Sequence, residues 1–383
     1  MTKAKIEIPF NRPTFAGNEL AYVEQAVNRG HISGDGHFSR RCHRWFEERL
    51  GVGRALLTTS CTHALELAAL ALEVGPGDEV VMPSYTFVST ANAFALRGAK
   101  PVFCDIRPDT LNLDEASLEE TITRRTRAIV PVHYAGVSCE MDSIGELAQA
   151  ASAAIVEDNA HGLGGTYRGR QLGSFGAFAT LSFHETKNLT CGEGGALLIN
   201  DPELAAKAEI GREKGTDRSS FLRGEIDKYT WVGLGSSYLP SDLLAAFLLA
   251  QLESLDRVQA ERERVWRGYV ERLAPWAERA GVALPAVPEG CSSAYHLFHL
   301  ICPSRERRDA LIAGLAEAGV QAVFHYVPLH LSPMGRKFGY RPGDLPVTED
   351  RAERLVRLPF FRTLTEPELD RVAAAVKAAA AGW

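Results

Sequence analysis

A lysine lies in the middle of the stretch "SFHETKNLTCGEGGALLIND", residues 182–201, between two apolar segments typical of strands. Lys187 is followed by Gly192, Gly194 and Gly195, and glycines let a backbone approach a ligand closely. Poorly solvated surroundings favour the neutral form of a lysine, and the neutral amine is a nucleophile that forms Schiff bases with carbonyl compounds. Most lysines are simply exposed to solvent, so Lys187 alone does not indicate a Schiff-base nucleophile. The other residues of the predicted site are needed for that interpretation.

A carboxylate ends another apolar segment, "AAIVEDN", at Asp158, and His161 follows three residues later. A carboxylate beside buried surface is costly unless a cation or a hydrogen-bond donor faces it. Taken alone, Asp158 and His161 fit a metal pair or a structural hydrogen bond, and we favour the structural interpretation of these two. The glycines that follow do not fit G-x-G-x-x-G, which argues against a nicotinamide site.

Two further segments could bind an anion and a flat ring. In "LTTSCTHALELAALAL", residues 57–72, a strand runs into an apolar helix whose first amides attract anions. Taken alone this is an ordinary Ser/Thr cap, and the P-loop pattern is absent. In "PSYTFVST", residues 83–90, Tyr85 and Phe87 follow another strand, where an aromatic is a core residue or stacks on a flat ligand.

Together these four segments match the needs of pyridoxal phosphate (PLP). That cofactor requires a phosphate cradle, a partner for its pyridine nitrogen, a platform for its ring and a lysine for its aldehyde. The four features occur at the ends of different predicted strands, so the combination is much more specific than any one of them.

The elements that must position these residues alternate between short β-branched runs and Ala/Leu-rich segments of helical length. Seven strands are predicted: "ALLTTS", "EVVMPSYTF", "PVFCDI", "RAIVPVHYA", "AAIVEDN", "FATLSF" and "GALLIN". This alternation predicts an α/β fold with a mostly parallel seven-stranded sheet flanked by helices, whose ligands bind at the carboxyl ends of the strands.

The pattern changes near residue 240, where one or two long helices begin. Beyond them come helices at "RRDALIAGLAEAG" and "EPELDRVAAAVKAAAA" and a strand-like segment at 321–330. We therefore expect a large cofactor-binding domain over 1–250 and a smaller α+β domain over 251–383, with residues 1–30 able to pack on the smaller one.

Composition excludes several classes of protein. The 383 residues carry a net charge of -6, whereas a nucleic-acid-binding protein is normally basic. No apolar run reaches the length of a membrane span, and the start lacks a secretion signal. The seven cysteines include no C-x-x-C pair, so we expect neither a disulfide framework nor a metal site, and we expect a cytoplasmic location.

Nearly the whole chain resembles the DegT/StrS family of PLP-dependent sugar-nucleotide aminotransferases, which have the fold-type I architecture. The motifs that carry this resemblance are "PSYTFVSTANAF", "VEDNAHGLGGTY", "SFHETKN" and "GEGGALLIND". The run 211–242 looks most like the members that aminate TDP-4-keto-6-deoxy-D-glucose at the fourth carbon. Relatives that act as sugar dehydratases have histidine at the lysine position, so Lys187 favours transamination.

The resemblance implies roles for individual residues. Lys187 would bind the cofactor aldehyde, and Asp158 would keep the pyridine nitrogen protonated. The positions that would contact the rest of the cofactor are Thr62, His63, Phe87, His161, Ser182 and Ser237. Ser237 replaces an asparagine that, in many relatives, reaches the phosphate from the partner subunit, and Leu239 replaces an arginine of the same pattern.

The resemblance also implies a homodimer with active sites at the subunit interface. L-glutamate would give its amino group to the cofactor, leaving pyridoxamine phosphate, which would aminate the nucleotide-linked keto sugar. Four residues are candidates for substrate binding: Lys214, Arg223, Tyr326 and His330. For Tyr326 and His330, packing in the core is an equal alternative.

Other functions remain open at this point. Within PLP chemistry, the alternatives are a sugar-nucleotide 3-aminotransferase and a PLP-dependent sugar dehydratase. Outside it, the alternatives are a non-catalytic PLP-binding regulatory protein, for which no DNA-binding extension is visible, and a nicotinamide-dependent oxidoreductase, which lacks its glycine fingerprint.

Overall fold

A computed structural model of the protein describes residues 6–383. Its strands are β1 (Arg54–Thr58), β2 (Glu79–Pro83), β3 (Lys100–Cys104), β4 (Thr126–Ile129), β5 (Ala154–Asp158), β6 (Thr166–Tyr167), β7 (Arg170–Gln171), β8 (Phe178–Ser182), β9 (Gly195–Ile199), β10 (Cys291–Ser292), β11 (His299–Ile301) and β12 (Leu355–Arg357).

The central sheet has seven strands in the order β1-β9-β8-β5-β4-β2-β3. Strands β8, β5, β4, β2 and β3 pair in parallel, whereas β9 is antiparallel to both of its neighbours, β8 and β1. The predicted mostly parallel seven-stranded sheet is therefore confirmed. Its parallel strands end at one edge, which brings together residues that are far apart in the sequence.

Helices pack on both faces of this sheet. The helices of the described chain, including those of its C-terminal part, are α1 (Glu19–Asn28), α2 (His37–Leu50), α3 (Cys61–Ala71), α4 (Val88–Ala95), α5 (Glu115–Thr121), α6 (Met141–Ala151), α7 (Ala205–Arg212), α8 (Arg218–Leu222), α9 (Asp242–Leu252), α10 (Leu255–Ala280), α11 (Arg305–Glu317), α12 (Pro333–Lys337), α13 (Pro346–Arg354) and α14 (Glu366–Ala379).

Alternation along the strands assigns apolar side chains to the two faces. Leu56 and Leu197 pack with α3, α4 and α7 on one side, whereas Leu57 and Leu198 pack with α2 and α9 on the other. A sheet covered on both faces is the expected α/β arrangement, and the fold class is confirmed.

A further core forms in the C-terminal part of the chain, where the end of α10 packs with α11, α14, β11 and β12. Ile8 packs into this core and bridges Val320, whereas α1 packs on α9. Helix α10 passes between cores, since Val258 packs beneath the central sheet and Val265 in the C-terminal core. The domain boundary at residue 250 stays a prediction.

The strand expected over 321–330 is wrong. Val323 forms a bridge with Arg357, but the rest of the segment is irregular and ends in a short 3-10 turn at Leu329–Leu331. Pro328 has no amide hydrogen to donate to a strand, which explains why the apolar pattern does not extend into one. Among residues 6–383, no helix has both the length and the apolar character needed to cross a bilayer.

Candidate active site

A cavity of about 640 Å³ opens at the carboxyl ends of the parallel strands. Its walls come from the strand ends, from the start of α3, from the loop between β8 and β9, and from the C-terminal part of the chain. Six of the predicted cofactor or catalytic residues line it, together with the substrate candidate Tyr326: Thr62, Phe87, Asp158, His161, Ser182 and Lys187. The fold therefore brings together residues up to 264 positions apart, from Thr62 to Tyr326.

Lys187 reaches the cavity from the loop after β8, where its backbone amide donates to the carbonyl of His184 at 2.9 Å. Burial lowers the pKa of its amine, which Cys61 and Asp158 partly oppose. The positive charge of Arg357 lowers the same pKa further. A lower pKa increases the fraction of neutral amine near pH 7, and this is the form that attacks a carbonyl.

Asp158 is the last residue of β5, and only 5% of its surface is exposed. The hydroxyl of Thr90 donates to its Oδ2 at 2.7 Å, and the amide of Ala160 donates to its Oδ1 at 3.2 Å. Thr90 is itself hydrogen-bonded to Thr86 at 2.8 Å. These donors hold the carboxylate in one orientation, with its remaining acceptor capacity directed at the cavity.

The neighbouring carboxylate of β5, Glu157, belongs to the structural framework. It is fully buried and does not line the cavity. Four donors converge on it at 2.7–3.0 Å: the amides of Gly173, Phe175 and Gly176, and Nε2 of His133. The Nδ1 of His133 accepts from a backbone amide, which leaves the proton of the neutral ring on Nε2, facing Glu157.

The start of α3 provides backbone amides for an anion. Ser60 caps the helix by accepting from the amide of His63 at 3.1 Å, and the first backbone bond to Ser60 comes from Ala64. The amides of Cys61 and Thr62 precede that bond and lie at the positive end of the helix. A Cβ at Gly195 would lie 2.3 Å from the carbonyl carbon of Ser60, so only glycine lets β9 approach this turn.

Flat side chains stand beside these groups. Phe87 is 56% exposed at the cap position of α4 and lines the cavity, whereas Tyr85 is buried in the core. His161 stacks on His296 with ring centroids 4.1 Å apart. Burial holds the pKa of His161 well below its usual range, so the ring is neutral. Its Nδ1 is buried without a partner in the described part of the chain.

Five predicted site residues do not line the cavity: His63, Lys214, Arg223, Ser237 and His330. His63 contacts Thr59, and its amide is occupied by the cap described above. His330 is fully buried, with Ser84 and Glu349 on its two ring nitrogens. Lys214 pairs with Glu213, Arg223 pairs with Glu209 and Glu225, and Ser237 bridges Glu213 in the same loop region.

The sequence profile of one protein family, described as the DegT/DnrJ/EryC1/StrS aminotransferase family, matches residues 13–377. The chain belongs to this aminotransferase family. The expected family resemblance is thereby confirmed, and the match extends over both the central sheet and the C-terminal core.

Individual members are similar over their full lengths. GDP-perosamine synthase from Caulobacter vibrioides is 37% identical over 371 residues, which cover 95% of this chain and 96% of that protein. DesV from S. venezuelae has a TM-score of 0.89 at 32% identity, covering 98% of this chain and 99% of its own. The Streptococcus pneumoniae protein Spr1654, described as a sugar aminotransferase, has a TM-score of 0.90 at 29% identity in its PMP form, covering 97% of both chains.

This aminotransferase is an enzyme whose cofactor is pyridoxal phosphate, as the PLP and PMP forms of Spr1654 and the family assignment indicate. The cavity fits that cofactor on its own evidence. Within residues 6–383, it contains a lysine with a lowered pKa, an oriented carboxylate, two free amides at a helix start and a buried imidazole nitrogen that lacks a partner. Each of these is a group that the cofactor can use.

The aminotransferase cavity also contains residues that the sequence analysis missed. Thr90 lies 68 positions before the carboxylate that it orients, so no local pattern connects them. His296, His325 and Arg357 come from the C-terminal part of the chain, and their place in the wall depends on how that part packs. Of the substrate candidates Tyr326 and His330, only Tyr326 lines the cavity, and the histidine that lines it there is the neighbouring His325.

Proposed function

We propose that this enzyme transfers the amino group of L-glutamate to the 4-keto carbon of a nucleotide-linked 6-deoxyhexose, TDP-4-keto-6-deoxy-D-glucose. The product is then a TDP-4-amino-4,6-dideoxy sugar. The observation that carries the proposal is the meeting of Lys187 and Asp158 in one cavity, with a lysine whose pKa is lowered. The name of one relative, GDP-perosamine synthase, supports a nucleotide-linked substrate.

The proposed roles follow from the positions of the side chains. When bound, pyridoxal phosphate supplies an aldehyde that takes up the amino group and a ring that takes up electrons from the adjoining carbon. Asp158, oriented by Thr90, would hold a proton on the ring nitrogen. Lys187 would bind the aldehyde, and once the amino group of the donor has displaced it, the freed neutral amine would move the proton at the α-carbon of the donor.

The remaining cavity residues position these groups. Phe87 and His161 would pack against the ring, and a neutral His161 would do so without opposing the protonated ring nitrogen. Thr62 and Ser182 would bind the phosphate together with the helix-start amides. Tyr326 lines the cavity beside His325, and we place it against the sugar.

We further propose that the enzyme is a homodimer. The region 213–239 holds Lys214, Arg223 and Ser237 outside the cavity of their own chain, and it exposes Leu222, Trp231 and Leu234 by 63–75%. Large exposed apolar side chains grouped in one region are typical of an interface. In a dimer, the loop cations of one copy could approach the substrate nucleotide in the other. Sedimentation equilibrium of the wild-type protein and of Trp231→Ser tests this, and a monomeric wild-type protein would refute it.

The substrate proposal is tested by locating the transferred nitrogen. The holoenzyme is incubated with ¹⁵N-labelled L-glutamate and TDP-4-keto-6-deoxy-D-glucose, and in parallel with the corresponding GDP-linked 4-keto sugar. We expect NMR to find the label at the fourth carbon. Label at the third carbon would indicate a 3-aminotransferase, loss of the neighbouring hydroxyl without label a dehydratase, and no reaction with either sugar would remove the proposal.

A further inference from the structure

Arg357 lies in the cavity wall and was not among the candidate residues predicted from the sequence. It is the last residue of β12, and it reaches the cavity from the C-terminal part of the chain. Lys187 and Arg357 are the lysine and arginine among the side chains that line the cavity in the described part of the chain. Since Lys187 is the proposed attachment point of the cofactor, Arg357 is left as the permanent cation that the described cavity wall of this chain offers to a substrate.

The hydrogen bonds of Arg357 leave much of its guanidinium unused. Its Nε and Nη2 donate to the backbone carbonyl of Phe324 at 3.3 and 3.2 Å, and the group lies over the ring of Phe10 at 4.6 Å. Within residues 6–383 it has no carboxylate within 4.0 Å, whereas the nearby Arg354 pairs with Asp350. Burial lowers the pKa of Arg357, which the neighbouring Tyr134, Tyr326 and Tyr85 only partly oppose.

This arrangement suits a planar anion. A guanidinium has five N–H donors, and after the two bonds to Phe324 the N–H groups on Nη1 and the second one on Nη2 remain. Two such groups form a fork that matches the two oxygens of a carboxylate. The carbonyl of Phe324 and the ring of Phe10 hold the fork in place, which lowers the entropy cost of binding.

We propose that Arg357 binds a carboxylate of the amino donor. This inference rests on the proposed function, for which it names the residue that recognises the donor. Arg357 lies close enough to Lys187 for its charge to act on that amine, and the α-carboxylate of an amino acid is attached to the carbon that reacts there. The diphosphate of a 4-keto sugar is attached to the first carbon, across the sugar ring from the reacting one, and fits this position less well.

The test separates the two halves of the reaction in the holoenzyme. Three variants are compared with wild type: Arg357→Gln removes the charge, Arg357→Lys keeps a charge without the fork, and Arg351→Gln is a control. Arg351 also donates to a backbone carbonyl, that of Pro108, but it does not line the cavity. Binding of glutarate, a dicarboxylate without an amino group, is measured by calorimetry as a readout independent of turnover.

We expect Arg357→Gln to weaken glutarate binding about 10- to 100-fold, as for a lost charge-assisted hydrogen bond. The glutamate concentration at half-maximal conversion of PLP to its pyridoxamine form should rise by a similar factor. The concentration of keto sugar needed for the return half-reaction should change by less than about threefold. Arg357→Lys should recover part of the donor binding, and Arg351→Gln should behave as wild type.

Several outcomes would overturn the inference. Weakened keto-sugar binding with unchanged glutarate binding would assign Arg357 to the diphosphate, and no change in either would leave it without a ligand. A different result would separate this inference from the proposed function. If the wild-type enzyme accepts glutamate but no 4-keto sugar, and Arg357→Gln loses glutarate binding, the proposed sugar substrate is wrong but the proposed role of Arg357 is supported. Circular dichroism and PLP absorbance of each variant exclude misfolding, and Arg357→Lys supplies the result if Arg357→Gln does not fold.

Discussion

The two adjacent carboxylates of β5 give the sharpest prediction, because the structure assigns them opposite tasks. Glu157 is fully buried and accepts from three amides and an imidazole, whereas Asp158 accepts from a hydroxyl and an amide and faces the cavity. Each is changed to its amide, Glu157→Gln and Asp158→Asn, so that size is kept and only charge and donor pattern differ.

The expected magnitudes follow from the number of donors. At Glu157→Gln, the new amide NH₂ would face two donors that need an acceptor, and each buried donor left without one costs about 1–3 kcal/mol. At Asp158→Asn, the side-chain oxygen still accepts from Ala160, and the hydroxyl of Thr90 can turn to accept from the new NH₂. We therefore expect Asp158→Asn to cost about 1 kcal/mol of stability or less.

The assay combines urea denaturation of the cofactor-free proteins, followed by circular dichroism, with turnover after addition of PLP. Glu157→Gln should unfold at a clearly lower urea concentration and retain turnover once folded and loaded. Asp158→Asn should unfold close to wild type and lose turnover at least about a hundredfold, as for other lost electrostatic contacts to a reacting group. An unstable Asp158→Asn, or a stable but inactive Glu157→Gln, would refute the division of tasks.

Three other predictions follow from the same geometry. Thr90→Val should weaken PLP binding about tenfold in a spectroscopic titration because Asp158 loses its hydroxyl donor, while Thr90→Ser should bind as wild type; equal affinities would show that the bond is unimportant. Gly195→Ala should lower the denaturation midpoint and PLP affinity together, since its Cβ would lie 2.3 Å from Ser60, and an unaffected variant would mean that β9 can shift away. The cofactor-free protein should lose stability from pH 7 to pH 5, because burial lowers the pKa of His161 and His296 well below 6.5 and that of His299 to about 3. On unfolding these rings take up protons below pH 6.5, each contributing up to ~1.4 kcal/mol per pH unit; a midpoint that is flat over this range, or unchanged in slope in His299→Asn, would contradict the assignment.

Much of the fold was accessible from the sequence because it depends on local periodicity. Short apolar strands alternating with helices predicted the mostly parallel sheet, and a parallel sheet collects its strand ends at one edge. Asp158 and Ser182 are the last residues of their strands, which is why the sequence could place them and Lys187 near one site. The antiparallel direction of β9 and its position between β1 and β8 depend on pairing between strands that are distant in the sequence. A local sequence pattern does not predict such pairing.

Features that depend on packing between distant segments were not predictable. The structural role of Glu157 was not predictable, since it depends on the alternation of β5 and on the loop at 173–176, whose amides donate to this carboxylate. The place of Arg357 depends on the docking of the C-terminal part of the chain over the strand ends. The loop with Lys214, Arg223 and Ser237 lies outside the cavity of its own chain, so its predicted contacts require the proposed second copy.

The central claim is that Lys187 is the amine that binds pyridoxal phosphate while Asp158 faces its ring nitrogen. Borohydride reduction of the loaded enzyme, followed by peptide mass mapping, fixes the cofactor to the lysine that carries it. We predict one modified peptide, labelled at Lys187, in the wild type and in Asp158→Asn, and no label at this position in Lys187→Ala, which should be folded and inactive. Label on another lysine, or full turnover in Lys187→Ala, would contradict the claim.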